Sequence, residues 1–217
     1  MKLGAKNTLA ITCDVTIEED CKKSVQEAIN KFQSIDILIL NAGISGSIPF
    51  HQIKDLSIYE KMMKVNFLGY VNMTHFALPE IKKSNGRICV ISSMSGKIGI
   101  PLRTAYCSSK FAVTGFFEVL RNELVMENPK VKITICVPGW VDSEIRKRHV
   151  QETQQQYDKK KMMSIDECVQ QSLIALKNGK REERYTGITS YLPFLSAFYP
   201  DFVDMLVRIA VYKKSKL

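Results

Sequence analysis

Glycine is nearly missing from the first part of this chain: Gly4 is the only one before Gly43. A loop that cradles a phosphate needs clustered glycines, because backbone amides must approach the anion with no Cβ in the way. Residues 1–42 therefore hold no such loop. Metal-binding patterns are missing as well. The six cysteines, Cys13, Cys21, Cys89, Cys107, Cys136 and Cys168, form no Cys-x-x-Cys pair, and no Cys/His group has zinc spacing. No apolar signal segment opens the chain, and no run of about 18 apolar residues could span a bilayer. The sequence thus reads as a soluble chain. Aromatic residues do not alternate with the basic clusters Arg146-Lys147-Arg148, Lys159-Lys160-Lys161 and Lys213-Lys214. The net charge of +9 is then a property of solvated faces, which argues against a nucleic-acid partner.

What is present is a core. The chain has 217 residues and 45% hydrophobic content, enough for one sizeable domain. Cys89 and Cys136 sit in apolar runs and read as reduced, buried thiols. Thr8 to Cys13 reads as a strand ending at Asp14, and residues 18–33 as an amphipathic helix with Val25, Ala28, Ile29 and Phe32 on one face. Asp36 to Leu40, Arg87 to Ile91 and Val131 to Val137 are continuous apolar runs of strand length, the pattern of strands buried on both faces. Between them the spacing predicts helices over 57–82 and from Tyr106 to the Asn128-Pro129 stop. A further helix runs from Asp166 to Lys177, ended by Asn178-Gly179, and a last strand covers 183–188. Residues 44–56, 94–103 and 140–163 read as loops. Alternating strands and helices imply an α/β fold with a parallel sheet, whose ligands bind beyond the carboxyl ends of the strands. Asp14, Asn41, Ser93 and Pro138 all fall at such ends.

The chemistry centres on Tyr106-Cys107-Ser108-Ser109-Lys110. Tyr106 and Lys110 are four residues apart on a helix, so they share a face. A phenol titrates near about 10 and is a poor acid or base at neutral pH, but a neighbouring ammonium favours its phenolate. A tyrosine tuned in this way can exchange a proton with a carbonyl or alcohol oxygen.

The motifs that surround this pair are Asn41-Ala42-Gly43, Lys64-Val65-Asn66-Phe67-Leu68-Gly69, Ile91-Ser92-Ser93-Met94-Ser95-Gly96, Phe111 to Phe117 and Pro138-Gly139. On these the chain resembles the short-chain dehydrogenase/reductase family over roughly residues 8–190, most of all the branch that includes corticosteroid 11-beta-dehydrogenase. The resemblance implies a Rossmann-like doubly wound parallel sheet. It makes Tyr106 the general acid/base and Lys110 the group that lowers its pKa and holds the nicotinamide ribose. Ser93 would hydrogen-bond the substrate oxygen, and Asn66 would hold a water that relays protons to Lys110. Asp14 and Val15 would contact adenine, Asn41, Ala42 and Gly43 the adenosine ribose, and Pro138, Gly139, Val141 and Ser143 the nicotinamide side. The implied activity is hydride transfer between NADP or NAD, with NADP slightly favoured, and a secondary alcohol or ketone. Ile98, Ile100, Pro101, Leu102 and Trp140 would flank an apolar, lipid-like or steroid-like substrate.

The same resemblance makes the missing glycine-rich loop a departure. It implies an N-terminally truncated fold that lacks the first two strands, with Ile37 to Leu40 left as an apolar sheet edge. Residues 1–190 would be a partial dinucleotide-binding domain, and residues 191–217 an apolar and basic tail. That tail reads either as a helix that packs on the domain or on a second copy in a homo-oligomer, or as a peripheral membrane contact. The expected location is the endoplasmic reticulum or a membrane by resemblance, and the cytoplasm for the isolated chain. The alternative to an enzyme is a fragment without activity that acts as a partner subunit.

Overall fold

A computed structural model describes residues 7–145, 149–152, 162–185 and 188–212. Its centre is a four-stranded, all-parallel sheet in the order β1 (Ile37–Leu40), β3 (Arg87–Ile91), β4 (Lys132–Val137), β6 (Glu182–Arg184). Alternation along the strands sorts side chains into two layers. Ile88, Val90, Ile133, Ile135 and Val137 join the main core. Cys89, Ile91 and Cys136 point to the opposite layer with Leu176 and Tyr185. The helices α3 (Gly69–Ser84) and α4 (Thr104–Glu127) cover the first face, and α1 (Glu18–Phe32) packs along α3. On the other face lies α5 (Ile165–Lys177), started by a capping box between Ser164 and Glu167. The helices α6 (Leu192–Phe198) and α7 (Pro200–Tyr212) close the chain, and Val203, Val207 and Val211 of α7 are buried in the main core. The expected Rossmann-like α/β sheet is therefore present.

Strand β1 ends the sheet, as anticipated. Leu38 and Leu40 face inward, whereas Ile37 and Ile39 are half-exposed along an open edge. Four departures have physical causes. Thr8 to Cys13 forms no strand, because no described strand lies beyond β1 to supply ladder partners. The helix expected over 57–82 is split: α2 (Ser57–Met63) and α3 are joined by one π-helical turn, Lys64–Leu68. It ends at Asn85, which takes the left-handed conformation at φ 53° before Gly86. Residues 44–56 contain a short strand, β2 (Ser45–Ser47), which pairs in parallel with β5 (His149–Glu152). This pairing gives order to part of the segment read as irregular. The last strand covers only Glu182–Arg184, and residues 186–187 lie outside the described set, as do all three basic clusters.

One glycine fixes how closely the sheet end approaches the central helix. A Cβ on Gly96 would stand 2.6 Å from the Lys110 carbonyl oxygen and 2.8 Å from Ser92 Oγ. Gly96 lies in the 3-10 turn Met94–Gly96 that follows β3, so its missing side chain lets the Ser92–Ser93 segment lie against α4.

Candidate active site

The carboxyl ends of β1, β3 and β4 open into a cavity of about 470 Å³. Asn41, Ala42 and Gly43 line it from the end of β1, and Ser92 and Ser93 from the end of β3. Pro138, Gly139, Trp140, Val141 and Ser143 come from the segment after β4, and Arg103, Tyr106 and Lys110 from the start of α4. This is where a parallel sheet exposes backbone that has no further ladder partner. The loops are held together by their own amides: Ser92 N–H donates to the Cys136 carbonyl at 2.8 Å and Met94 N–H to Pro138 at 3.0 Å. Trp140 is fixed from the far side, its carbonyl accepting from Met163 N–H at 2.9 Å.

Tyr106 is buried in a small apolar cluster with Ile58, Met62 and Ala105. Lys110, one turn further along α4, is 3% exposed, and its Nζ lies 5.9 Å from the Tyr106 ring centre and 5.3 Å from that of Tyr70. The ammonium donates to the Ile91 carbonyl at 2.9 Å, and the Tyr70 hydroxyl donates to the same oxygen at 3.1 Å. Burial pushes the Lys110 pKa down from 10.5 to about 8, and burial pushes the Tyr70 phenol up. Ser93 is the N-cap of the turn after β3, its Oγ accepting from Ser95 N–H at 3.2 Å.

Asn66 sits in the π-helical turn with no exposed surface. Its Oδ1 accepts from Ile44 N–H at 2.8 Å, and its Nδ2 donates to the Ile44 carbonyl at 3.0 Å and to Ser109 Oγ at 3.0 Å. Ser109 in turn donates to the Tyr106 carbonyl at 2.8 Å. The side-chain amide of Asn66 thus joins the chain after β1, the α2–α3 junction and α4 at Ser109. A π turn at such a point is a common mark of a functional site.

The structure separates the remaining expectations. Asp14 and Val15 do not line the cavity. Asp14 is exposed, accepts from the backbone and hydroxyl of Thr16, and is thereby held below the usual carboxylate range. Val15 packs on α3 at Gly69, where a Cβ would come within 2.7 Å of it. Of the expected substrate flank, only Trp140 reaches the cavity. Ile98 and Leu102 are buried in the main core, and Ile100 and Pro101 line a separate groove against α7. Sequence reasoning missed Ser109, Tyr70 and Arg103. Ser109 was accessible from its position three residues after Tyr106, which places it on the same stretch of helix.

The buried Lys110 makes a stability prediction. A lysine pKa lowered to about 8 means that the unfolded chain holds the proton more tightly than the folded one between pH 8 and 10.5. The charge therefore costs stability in full below pH 8, and that cost fades as pH rises to 10.5. Its size is on the order of 3 kcal/mol. Lys110→Met leaves the Ile91 carbonyl its Tyr70 partner. Urea unfolding should show the variant more stable than the wild type at neutral pH, with the gap closing through the alkaline range. An equal gap at all pH values would contradict the assignment.

Comparison with known proteins bears on the family and the fold. The family described as short chain dehydrogenase matches residues 1–154. A dehydrogenase/reductase SDR family protein 7-like of Dictyostelium discoideum is 36% identical over 95% of this chain and 65% of its own length. An 11-beta-hydroxysteroid dehydrogenase of Pinus massoniana is 34% identical over 95% of this chain and 60% of its own length. A short chain dehydrogenase from Burkholderia cenocepacia J2315, solved in complex with NADP, superimposes with a TM-score of 0.80 over 95% of this chain and 81% of its own, at 22% identity. The chain thus spans about 60–65% of these two curated relatives. On the family match and the level of identity, the chain belongs to the short chain dehydrogenase family.

Proposed function

We propose that this chain carries the catalytic site of an oxidoreductase that moves a hydride between NADP or NAD and a secondary alcohol or ketone with an apolar body. The observation that carries the reading is the convergence of Tyr106, Lys110 and Ser93 on one cavity at the strand ends, with Asn66 bracing the Tyr106 turn. When bound, the cofactor supplies the hydride chemistry. The protein's part is the proton. Tyr106 exchanges it with the substrate oxygen, Ser93 uses its hydroxyl to hold that oxygen, and Lys110 favours the phenolate and holds the ribose. Asn41 to Gly43 and Pro138 to Ser143 are the walls against which the cofactor lies. The cavity suits the nicotinamide half. The pyrophosphate finds no equivalent support on α1, whose first turn carries Glu18, Glu19 and Asp20 and would repel an anion.

The test is turnover of a ketone panel, followed by the absorbance of reduced nicotinamide. It is run on this chain and on a chimera that adds the amino-terminal part of a curated relative. Tyr106→Phe in the chimera should cut turnover by about 10²–10⁴-fold. Undiminished turnover would overturn the role of Tyr106. A chain inactive in both forms would leave the non-catalytic partner subunit as the better reading.

A second observation bears on location. Among the described residues no helix is long and apolar enough to cross a membrane. Yet Phe194 and Phe198 of α6 are exposed, as are Phe202, Met205 and Ile209 on the side of α7 away from its buried valines. Lys213, Lys214 and Lys216 follow in the sequence. Aromatic residues beside lysines favour peripheral contact with an anionic membrane surface. Vesicles containing phosphatidylserine should float the wild-type chain but not Phe198→Ser/Phe202→Ser. Failure of the wild type to float would contradict this contact.

A further inference from the structure

Tyr70 stands behind the cavity wall, and neither the proton-transfer scheme nor the cofactor walls use it. It belongs to α3, is 2% exposed and packs in the main core. Its hydroxyl nevertheless reaches the end of β3. There it donates at 3.1 Å to the Ile91 carbonyl, the oxygen that also accepts from Lys110 Nζ at 2.9 Å. Ile91 is the last residue of β3, one beyond the final rung with β1 at Leu40 and Val90. One carbonyl at the sheet end therefore carries two side-chain donors, a cation and a neutral phenol. The ammonium is also flanked by two rings from two helices, with Nζ 5.3 Å from the Tyr70 ring centre and 5.9 Å from that of Tyr106. The other titratable groups nearby are Cys89, which acts on the Tyr70 phenol from β3, and Arg103, Glu144 and Cys168 in the cavity wall. Burial is what lowers the Lys110 pKa to about 8.

We propose that Tyr70 is a positioning residue for Lys110: it shares the Ile91 carbonyl so that the ammonium is held loosely, and its ring sets where the ammonium stands beside Tyr106. Only the consequence for turnover rests on the oxidoreductase reading; the sharing of the carbonyl does not. Burial pushes the Tyr70 phenol up, so it keeps its proton and donates at every working pH. It is therefore no proton donor to a substrate. Two donors on one oxygen draw on the same electron density, so each bond is weaker than it would be alone. An ammonium has three N–H donors. One held loosely at Ile91 can turn the others to a ribose hydroxyl without breaking a strong bond.

The test is the titration of Lys110 in the chain itself, with no cofactor. Isotope-labelled lysine Cε is followed by NMR, and the Lys110 signal is identified by its loss in Lys110→Met. In Tyr70→Phe the ring stays and only the hydroxyl goes, so the carbonyl is left to the ammonium. The Lys110 midpoint should then rise by about one pH unit, the equivalent of one neutral hydrogen bond. An unchanged or lower midpoint would overturn the proposal, and is the result expected of a tyrosine that serves only core packing. If Tyr70→Phe does not fold by thermal melting, the wild type decides. Its Tyr70 Cζ signal should shift at the Lys110 midpoint, and that step should vanish in Lys110→Met; a Cζ signal flat through the midpoint would overturn the sharing. In the chimera the alkaline limb of kcat/KM should move up in Tyr70→Phe as far as the Lys110 midpoint does, and a limb that stays in place would overturn the positioning role. Undiminished turnover in Tyr106→Phe would remove the oxidoreductase reading and leave the Lys110 titration untouched, so the two failures are distinct.

Discussion

The buried amide of Asn66 is the constraint from which the site's geometry follows. An amide with no exposed surface must find its partners inside the protein, because each unmet polar atom costs about 1–3 kcal/mol. Asn66 meets this by bonding both backbone groups of Ile44 and the hydroxyl of Ser109. Those bonds reach three separate stretches of chain, so the segment after β1, the α2–α3 junction and α4 at Ser109 cannot move independently. The π turn at Lys64–Leu68 is part of the same arrangement, since it places Asn66 between the other two. The Tyr106 carbonyl, one hydrogen bond away through Ser109, inherits this restraint.

Lys110 shows the opposite balance. Its burial is costly, and its contacts offset only part of that cost: the Ile91 carbonyl and the faces of two tyrosine rings. A core built for stability alone would place an apolar residue there. Groups retained at such a cost concentrate at functional sites, where a shifted pKa is part of the chemistry. The cavity thus contains one polar group that is fully satisfied and rigid, Asn66 behind it, and one that is held under electrostatic stress, Lys110 in its wall.

Much of this fold was legible in the sequence because burial on both faces leaves continuous apolar runs, and β1, β3 and β4 fall where those runs lie. The open edge at Ile37 and Ile39 was legible only through the family resemblance, which leaves this strand without a neighbour; the apolar run alone reads as buried on both faces. Thr8 to Cys13 was misread because local propensity cannot show whether a ladder partner exists. The π turn was hidden because one extra residue in the hydrogen-bond register barely changes the apolar period of the surrounding helix. At the site, residues in compact motifs, Asn41 to Gly43, Ser93, Tyr106, Lys110 and Pro138 to Ser143, were brought together as expected. The packing of Val15 against Gly69 was not legible, because an apolar residue after a polar one carries no sign of what it packs on. Ile98 and Leu102 were misplaced for the same reason, a core residue and a cavity wall being alike in sequence. Arg103 was missed because a single arginine before a helix has no spacing to distinguish it from a solvated charge.

The central claim is that the strand-end cavity is a nicotinamide site organised around Tyr106. Amide chemical-shift mapping with nicotinamide mononucleotide tests it most directly, because this ligand needs no support for a pyrophosphate. The account predicts shifts concentrated at Asn41 to Gly43, Ser92, Ser93, Tyr106 to Lys110 and Gly139 to Ser143. Shifts confined to the groove between α4 and α7, around Ile100, Phe111 and Arg208, or no shifts at saturating ligand, would contradict it.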